Sequence, residues 1–198
     1  MKSIRKIIAD SVHYFTRHGF GSKKWRKRFA NFGEGAAVVY PASIDGFESI
    51  EIGTGTVILG HSRIANFHVK GIEPKIRIGK NCYICYYFTI LNASTVTIGD
   101  NVLIASHVLI SSENHSMDPE SELPYMSQPL MTKPVNVGDG CWIGEKVCIL
   151  PGVTIGKKCI IGAGSVVTKN IPDYAIAVGN PAEVVKKYNF ETHNWERI

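Results

Sequence analysis

The stretch VNVGDGCWIGEKVCILPGVTIGKKCIIGAGSVV, residues 135–167, decides the fold. An aliphatic residue returns every six positions, at Val137, Ile143, Ile149, Ile155, Ile161 and Val167, and a glycine follows it at Gly138, Gly144, Gly156 and Gly162. A helix would repeat its apolar residues at three and four, and a half-buried strand at two. Period six describes short strands joined by tight corners, each aliphatic pointing inward and each Gly letting the backbone turn. Coils of this kind stack to bury a core that no single coil could bury alone.

The same frame runs upstream through Ile52, Ile58 and Ile64, then Ile78, Ile84 and Ile90, then Ile98, Ile104 and Ile110. Its fifth position is small or β-branched, as at Thr56, Ser62, Val102, Val147 and Ser165. Cys82, Cys141 and Cys159 occupy that position and Cys85 the second, so these cysteines read as compact apolar fillers and no metal site is expected from Cys82-x-x-Cys85. Aliphatic-x-aliphatic-Gly opens each coil, with starts at 52, 78, 98, 137 and 155. A coil of three hexapeptides leaves insertions of 8, 2, 21 and 0 residues, all at one corner. The longest follows His115 directly. Insertions gathered on one face of a repeat array usually build its binding face.

Composition sets the remaining bounds. The 198 residues, 44% hydrophobic with 19 Gly, fit one main domain. The net charge of +5 comes from Lys2, Arg5, Lys6, Arg17, Lys23, Lys24, Arg26, Lys27 and Arg28, so the rest is near neutral and no nucleic-acid partner is expected. Five cysteines, an odd number, fit a reducing compartment. No apolar run is long enough to span a bilayer and no signal-peptide pattern opens the chain, so a cytoplasmic protein is expected.

Three parts follow: a basic helical segment over 1–33, a repeat domain over 34–172 with an active-site loop at 116–136, and a tail over 173–198 with a short helix after Pro181. In the first, Ile4, Ile7, Ile8, Val12 and Phe15 fall at helical spacing among Lys and Arg. Such a helix would cap the open end of the solenoid. Its basic clusters with Trp25 and Phe29 would also suit peripheral contact with an anionic membrane surface.

His115 stands out among seven histidines. It lies in Ser111-Ser-Glu-Asn-His-Ser-Met-Asp-Pro119, at a coil end and the mouth of the long loop, with Glu113, Asn114 and Asp118 as polar neighbours. His61 and His107 sit at the fourth hexapeptide position and His68 at the fifth, where a corner or packing role suffices.

The ordered set Thr97-Ile-Gly-Asp-Asn-Val-Leu-Ile-Ala105, Asn114-His115, Val137-Gly-Asp-Gly-Cys-Trp-Ile-Gly144, Ile149-Leu-Pro-Gly-Val-Thr-Ile-Gly156, Ile161-Gly-Ala-Gly-Ser-Val-Val-Thr-Lys169 and Gly179-Asn-Pro-Ala182 resembles the hexapeptide-repeat acyltransferases. Within them it is most similar to the galactoside, maltose and Nod-factor O-acetyltransferase branch, from about Gly53 to Val185. The resemblance implies a mainly β protein: a left-handed parallel β-helix, assembled as a homotrimer with active sites between subunits. It makes His115 the general base that takes a proton from an acceptor hydroxyl as the oxygen attacks acetyl-CoA, a task suited to imidazole.

The resemblance also implies coenzyme contacts at backbone near Glu145 and Ala163, with Trp142 close by, and Thr168 and Lys169 toward the nucleotide end. Relatives often carry basic residues after Gly-Asn-Pro-Ala. Here Glu183 comes first, leaving Lys186 as the matching phosphate contact. On the acceptor side Cys85 and Ala93 stand where the sugar acetyltransferases have Asn and Asp, so Asn92, Glu113 and Asn114 are the nearest polar candidates around Cys85.

The expected function is acetyl-CoA-dependent O-acetylation of a sugar hydroxyl, in a surface polysaccharide or its precursor rather than a small galactose- or maltose-type sugar. Two alternatives stand beside it. Asn114-His-Ser-Met-Asp118 is also similar to the antibiotic-acetylating branch, and a non-catalytic β-helix scaffold would keep the fold alone.

Overall fold

The six-residue period becomes three parallel sheets. The computed structural model describes residues 23–40 and 42–198. The first sheet holds Asn31–Phe32, Ile50–Ile52, Lys75–Ile78, Thr95–Ile98, Val135–Val137 and Thr154–Ile155. The second runs from Ala37–Val38 to Ala175–Gly179, and the third from Ala42–Ile44 to Val166–Val167. Equivalent aliphatics stack in register: Ile98 beside Ile78 and Val137, Ile104 beside Ile84 and Ile143, Ile110 beside Ile90 and Ile149. All are buried. Each such side chain taken fully from water contributes about 1.5–3 kcal/mol, which is why short strands suffice.

The solenoid reaches further than the aliphatic period alone indicates. Phe32, Val38 and Ile44 form a coil ahead of Ile52, with an aromatic at its first inward position. Beyond Val167, Ile171 bridges to Ile155 and Ala177 pairs with Ile161. All three insertions leave between the third and first sheets: from Asn66 to Lys75, Asn92 to Thr95 and Ser111 to Val135.

The glycines after the aliphatics have a different role from the one expected. The left-handed backbone lies two residues later, at Gly55, Asn81, Asn101, Gly140 and Lys158 on one corner, and at His61, Tyr87, His107, Lys146 and Gly164 on the next. Gly138 and Gly144 are not left-handed; a Cβ on them would lie 2.7 Å from the Gly156 carbonyl carbon and 2.6 Å from the Ala163 nitrogen. They are small because the neighbouring coil passes directly over them. On the second corner His61, Tyr87 and His107 stack face to face, with centroids 4.9 and 4.7 Å apart, a packing role consistent with their position in the repeat.

Cys82, Cys141 and Cys159 are buried, and their thiols donate to the carbonyls of Gly99, Gly156 and Pro172 at 3.1, 3.0 and 3.0 Å. Burial pushes the Cys82 thiol up; a hydrogen bond with Cys159, then burial, pushes Cys141 up. The same hydrogen bond moves Cys159 the other way, down to about 7.

The short helix expected after Pro181 is absent. Ala182–Asn189 and Asn194–Arg197 are strands, extending the second sheet as an antiparallel hairpin from Ala175–Gly179. The alternation Val184, Lys186, Tyr188 against Glu183, Val185, Lys187 puts the first set on the less exposed face, and the open sheet edge supplies the partner that a short isolated helix would lack. Of the basic segment over 1–33, the helix expected over 2–18 lies outside the described residues. Within them the only helical turn before the solenoid is Lys23–Arg26. Among the described residues no helix is long and apolar enough to cross a membrane.

Candidate active site

The long insertion is a hairpin arm. Glu113–His115 pairs antiparallel with Leu130–Thr132, setting His115 opposite Leu130 and Asn114 opposite Met131. Alternation along the strand sends Glu113 and His115 to one face and Asn114 to the other. The loop beyond is closed by Ser116 N–H on the Pro129 carbonyl at 2.9 Å. Gln128 staples its interior: the amide nitrogen donates to the carbonyls of Asp118 and Leu123, both at 3.0 Å, and its oxygen accepts from Asp118 N–H at 3.3 Å.

Glu113 and His115 share a pocket of about 300 Å³ with Phe67, Met126, Gln128 and Leu130. Phe67 comes from the first insertion, so two excursions from one corner build one cavity. Its walls are mostly apolar, with a carboxylate and an imidazole as the ionisable groups. The His115 ring is exposed, and among the described residues no side chain hydrogen-bonds it. Phe67, Met126, Gln128 and Leu130 were missed in the sequence. The shared corner was the available signal for Phe67, because insertions leaving together end up adjacent.

The other candidates divide by place. Asn114 and the buried Asn92 do not line the pocket; Asn92 is wholly engaged in a hydrogen-bonded column at the corner. Cys85 is half-buried after the second strand of its coil, its thiol pushed up by burial and then by the Glu145 carboxylate. Glu145 and Ala163 are exposed at the second corner, where the Glu145 carbonyl accepts from Gly164 N–H at 2.7 Å. Trp142, 51% exposed, stands on the outer face of the second sheet between Leu103 and Ile160. With Tyr174, Tyr188, Phe190 and Trp195 it lines a cleft of about 380 Å³.

Thr168 and Lys169 are exposed and leave the third sheet on the same corner as His115, two coils further on, roughly 10 Å along the axis at ordinary strand spacing. The Lys169 ammonium lies 3.7 Å from Glu183. Lys186 is half-buried in the terminal hairpin, paired with Ile176 and Arg197.

Comparison with known proteins rests on this geometry. Residues 134–169 match the model described as bacterial transferase hexapeptide (six repeats). The solved galactoside acetyltransferase in complex with coenzyme A is 31% identical, with a TM-score of 0.61 over 92% of this chain and 80% of that one. The chain belongs to the hexapeptide-repeat acyltransferase family. The left-handed winding of the β-helix goes with that membership.

Other members align over a shorter span. Galactoside O-acetyltransferase of Escherichia coli K12 is 44% identical over 114 residues, covering 58% of this chain and 55% of that enzyme. The putative lipopolysaccharide biosynthesis O-acetyl transferase WbbJ of the same organism is 41% identical over 117 residues, covering 56% and 60%. The chain thus spans little more than half the length of these curated relatives. AntD, an N-acyltransferase from Bacillus cereus solved with dTDP and 3-hydroxybutyryl-CoA, superposes with a TM-score of 0.75 at 22% identity over 88% of this chain and 93% of that one, a likeness of fold.

Proposed function

We propose that the protein is an acetyl-CoA-dependent acetyltransferase that esterifies a sugar hydroxyl, in a surface polysaccharide or its precursor, with His115 as general base. The observation that carries this reading is the placement of the His115 imidazole beside Glu113 in a pocket built by two insertions at one corner. The named activities of the galactoside and lipopolysaccharide relatives support the choice of sugar, and the coenzyme A complex supports the donor.

In this reading the neutral imidazole accepts the hydroxyl proton as the oxygen attacks the thioester carbonyl. The carbon–sulfur bond then breaks, and the imidazolium returns the proton to the departing thiolate. Glu113, on the same face, accepts a hydrogen bond from a neighbouring hydroxyl of the acceptor, while Phe67, Met126 and Leu130 offer an apolar wall to its ring. Backbone donors at a coil corner stabilise charge developing on the thioester oxygen.

Trp142, Glu145, Ala163, Thr168, Lys169 and Lys186 are assigned to the coenzyme, with the Lys169–Glu183 pair opening to release the lysine for phosphate. A homotrimer belongs with this reading, as the resemblance to the hexapeptide-repeat acyltransferases implies. Phe29 is buried against Phe32 and Phe47, and Trp25 stacks on Phe47, so these two aromatics pack on the end of the solenoid and are not offered to a membrane. Peripheral membrane contact is left to residues before 23, outside those described.

The test is incubation of purified protein with acetyl-CoA and a panel of glycans, lipid-linked sugars, chloramphenicol and streptogramin-type acceptors, following thiol release and product mass. Acetylated glycan formed by the native protein and lost with His115→Ala supports the proposal. Transfer only to the antibiotics, or equal transfer by His115→Ala, rejects it.

A further inference from the structure

We propose that the buried column Asn66, Asn92 and Ser112 is the positioning element for His115, so that Asn92 acts on the stem of the catalytic hairpin and not on an acceptor. This rests on the reading of His115 as the base. Asn66 and Asn92 end third-sheet strands and Ser112 directly follows one, each where the chain departs into an insertion. They are 5%, 0% and 0% exposed.

The column is continuous. Asn92 Nδ2 donates to Asn66 Oδ1 at 2.7 Å and to the carbonyls of Lys75 and Ser94 at 3.3 and 3.2 Å. Asn92 Oδ1 accepts from Ser112 Oγ–H at 2.5 Å and from Ser94 N–H at 3.2 Å. Ser112 Oγ accepts from Ala93 N–H at 3.1 Å, and Asn66 Nδ2 donates to the Pro74 carbonyl at 3.3 Å. Each exit into an insertion is therefore tied to the next, and among the described residues no buried side-chain polar atom lacks a partner. In a buried network one missing member leaves its neighbours desolvated and unpaired, so a loss at one place weakens the rest of the column, most strongly next to the gap.

Its last member ties the base of the hairpin to the neighbouring coil. Ser112 N–H donates to the Leu91 carbonyl at 3.0 Å, and the Ser112 carbonyl accepts from Lys133 N–H at 2.9 Å. Beside it, Ser111 Oγ donates to the Glu113 carbonyl at 2.7 Å and accepts from Glu113 N–H at 3.2 Å. The His115 ring has no side-chain partner of its own among the described residues, so its place is set by its backbone, and that backbone is set by its stem. Ala93, next to Asn92, is buried at 0% exposure with its N–H committed to Ser112.

The experiment uses the full chain and compares Ser112→Ala with Ile104→Val, a core change outside the column chosen for a similar loss in thermal midpoint. Amide exchange is read at Lys133 and Ser116, and acetyl transfer is read with acetyl-CoA and a glycan acceptor. Ser112→Ala should speed exchange at both amides about tenfold. It should also lower kcat by up to about a hundredfold, the scale of a small misplacement of a catalytic group, with KM for acetyl-CoA unchanged. Ser112→Thr, which keeps the hydroxyl, should restore both readouts; Asn66→Ala, at the far end, should shift both less and in the same direction. Unchanged exchange at Lys133 and Ser116 in Ser112→Ala, or an equal change in Ile104→Val, overturns the proposal. If the native protein acetylates nothing, the functional reading fails, while the exchange result still decides the column.

Discussion

Leu103–Ile104 and Glu113–His115 lie close in sequence but are held in opposite ways. Ile104 sits between parallel neighbours, Ile84 and Ile143, with no exposed surface. His115 belongs to a strand with one antiparallel partner, and its ring faces solvent and a pocket. In the coils, position follows from burial, and every residue is constrained on both sides. In the arm, one strand partner and the stem hold the backbone, and the His115 side chain is left open to solvent and the pocket. A rigid platform carrying a variable arm is a common way to place catalytic groups.

That contrast can be broken from either side. The largest expected effect is His115→Ala, which should cut acetyl transfer by about 10²–10⁴-fold and leave the thermal midpoint unchanged, read by thiol release and calorimetry. A matching loss of stability would show the arm to be part of the core. Next, Ile104→Ala should destabilise by about 2–5 kcal/mol in denaturant unfolding, through the cavity left between coils. Gly144→Ala should cost about 1–3 kcal/mol, because its methyl meets backbone of the next coil and something must shift. The smallest effect belongs to the outer surface: Glu51→Gln, which removes the half-exposed partner of Arg77 at 3.6 Å, should change stability by about 0–1 kcal/mol.

Much of the solenoid was legible because its cause is local and repeated. Once Ile98, Ile104 and Ile110 are seen at period six, three strands per coil follow, and counting the leftover residues puts every insertion on one corner. The glycine role was misread because sequence shows only that a side chain is missing. Whether its absence serves a left-handed turn or the passage of a neighbouring coil depends on what lies across it. The tail was misread as helix because Ala182–Asn189 has no strong period of its own; the edge of the second sheet decided it.

At the candidate site the division is similar. His115 and Glu113 were legible from the loop that follows them. Phe67 is not legible from its own surroundings, only from the corner that its insertion shares with the arm, and Asn92 reads as an acceptor contact because a polar residue near the long loop looks available. Only the stacked column shows that its amide is already committed.

The sequence by itself determined the repeat, the number of inward positions per coil and the corner from which the arm departs, because these follow from hydrophobic period and residue counting along one chain. Tertiary structure decided which side chains face one another across coils: the pocket shared by Phe67 and His115, the Asn66–Asn92–Ser112 column and the contact over each glycine. Such pairs are distant along the chain and adjacent only after stacking, and hydrogen bonding and steric fit act on adjacency in space.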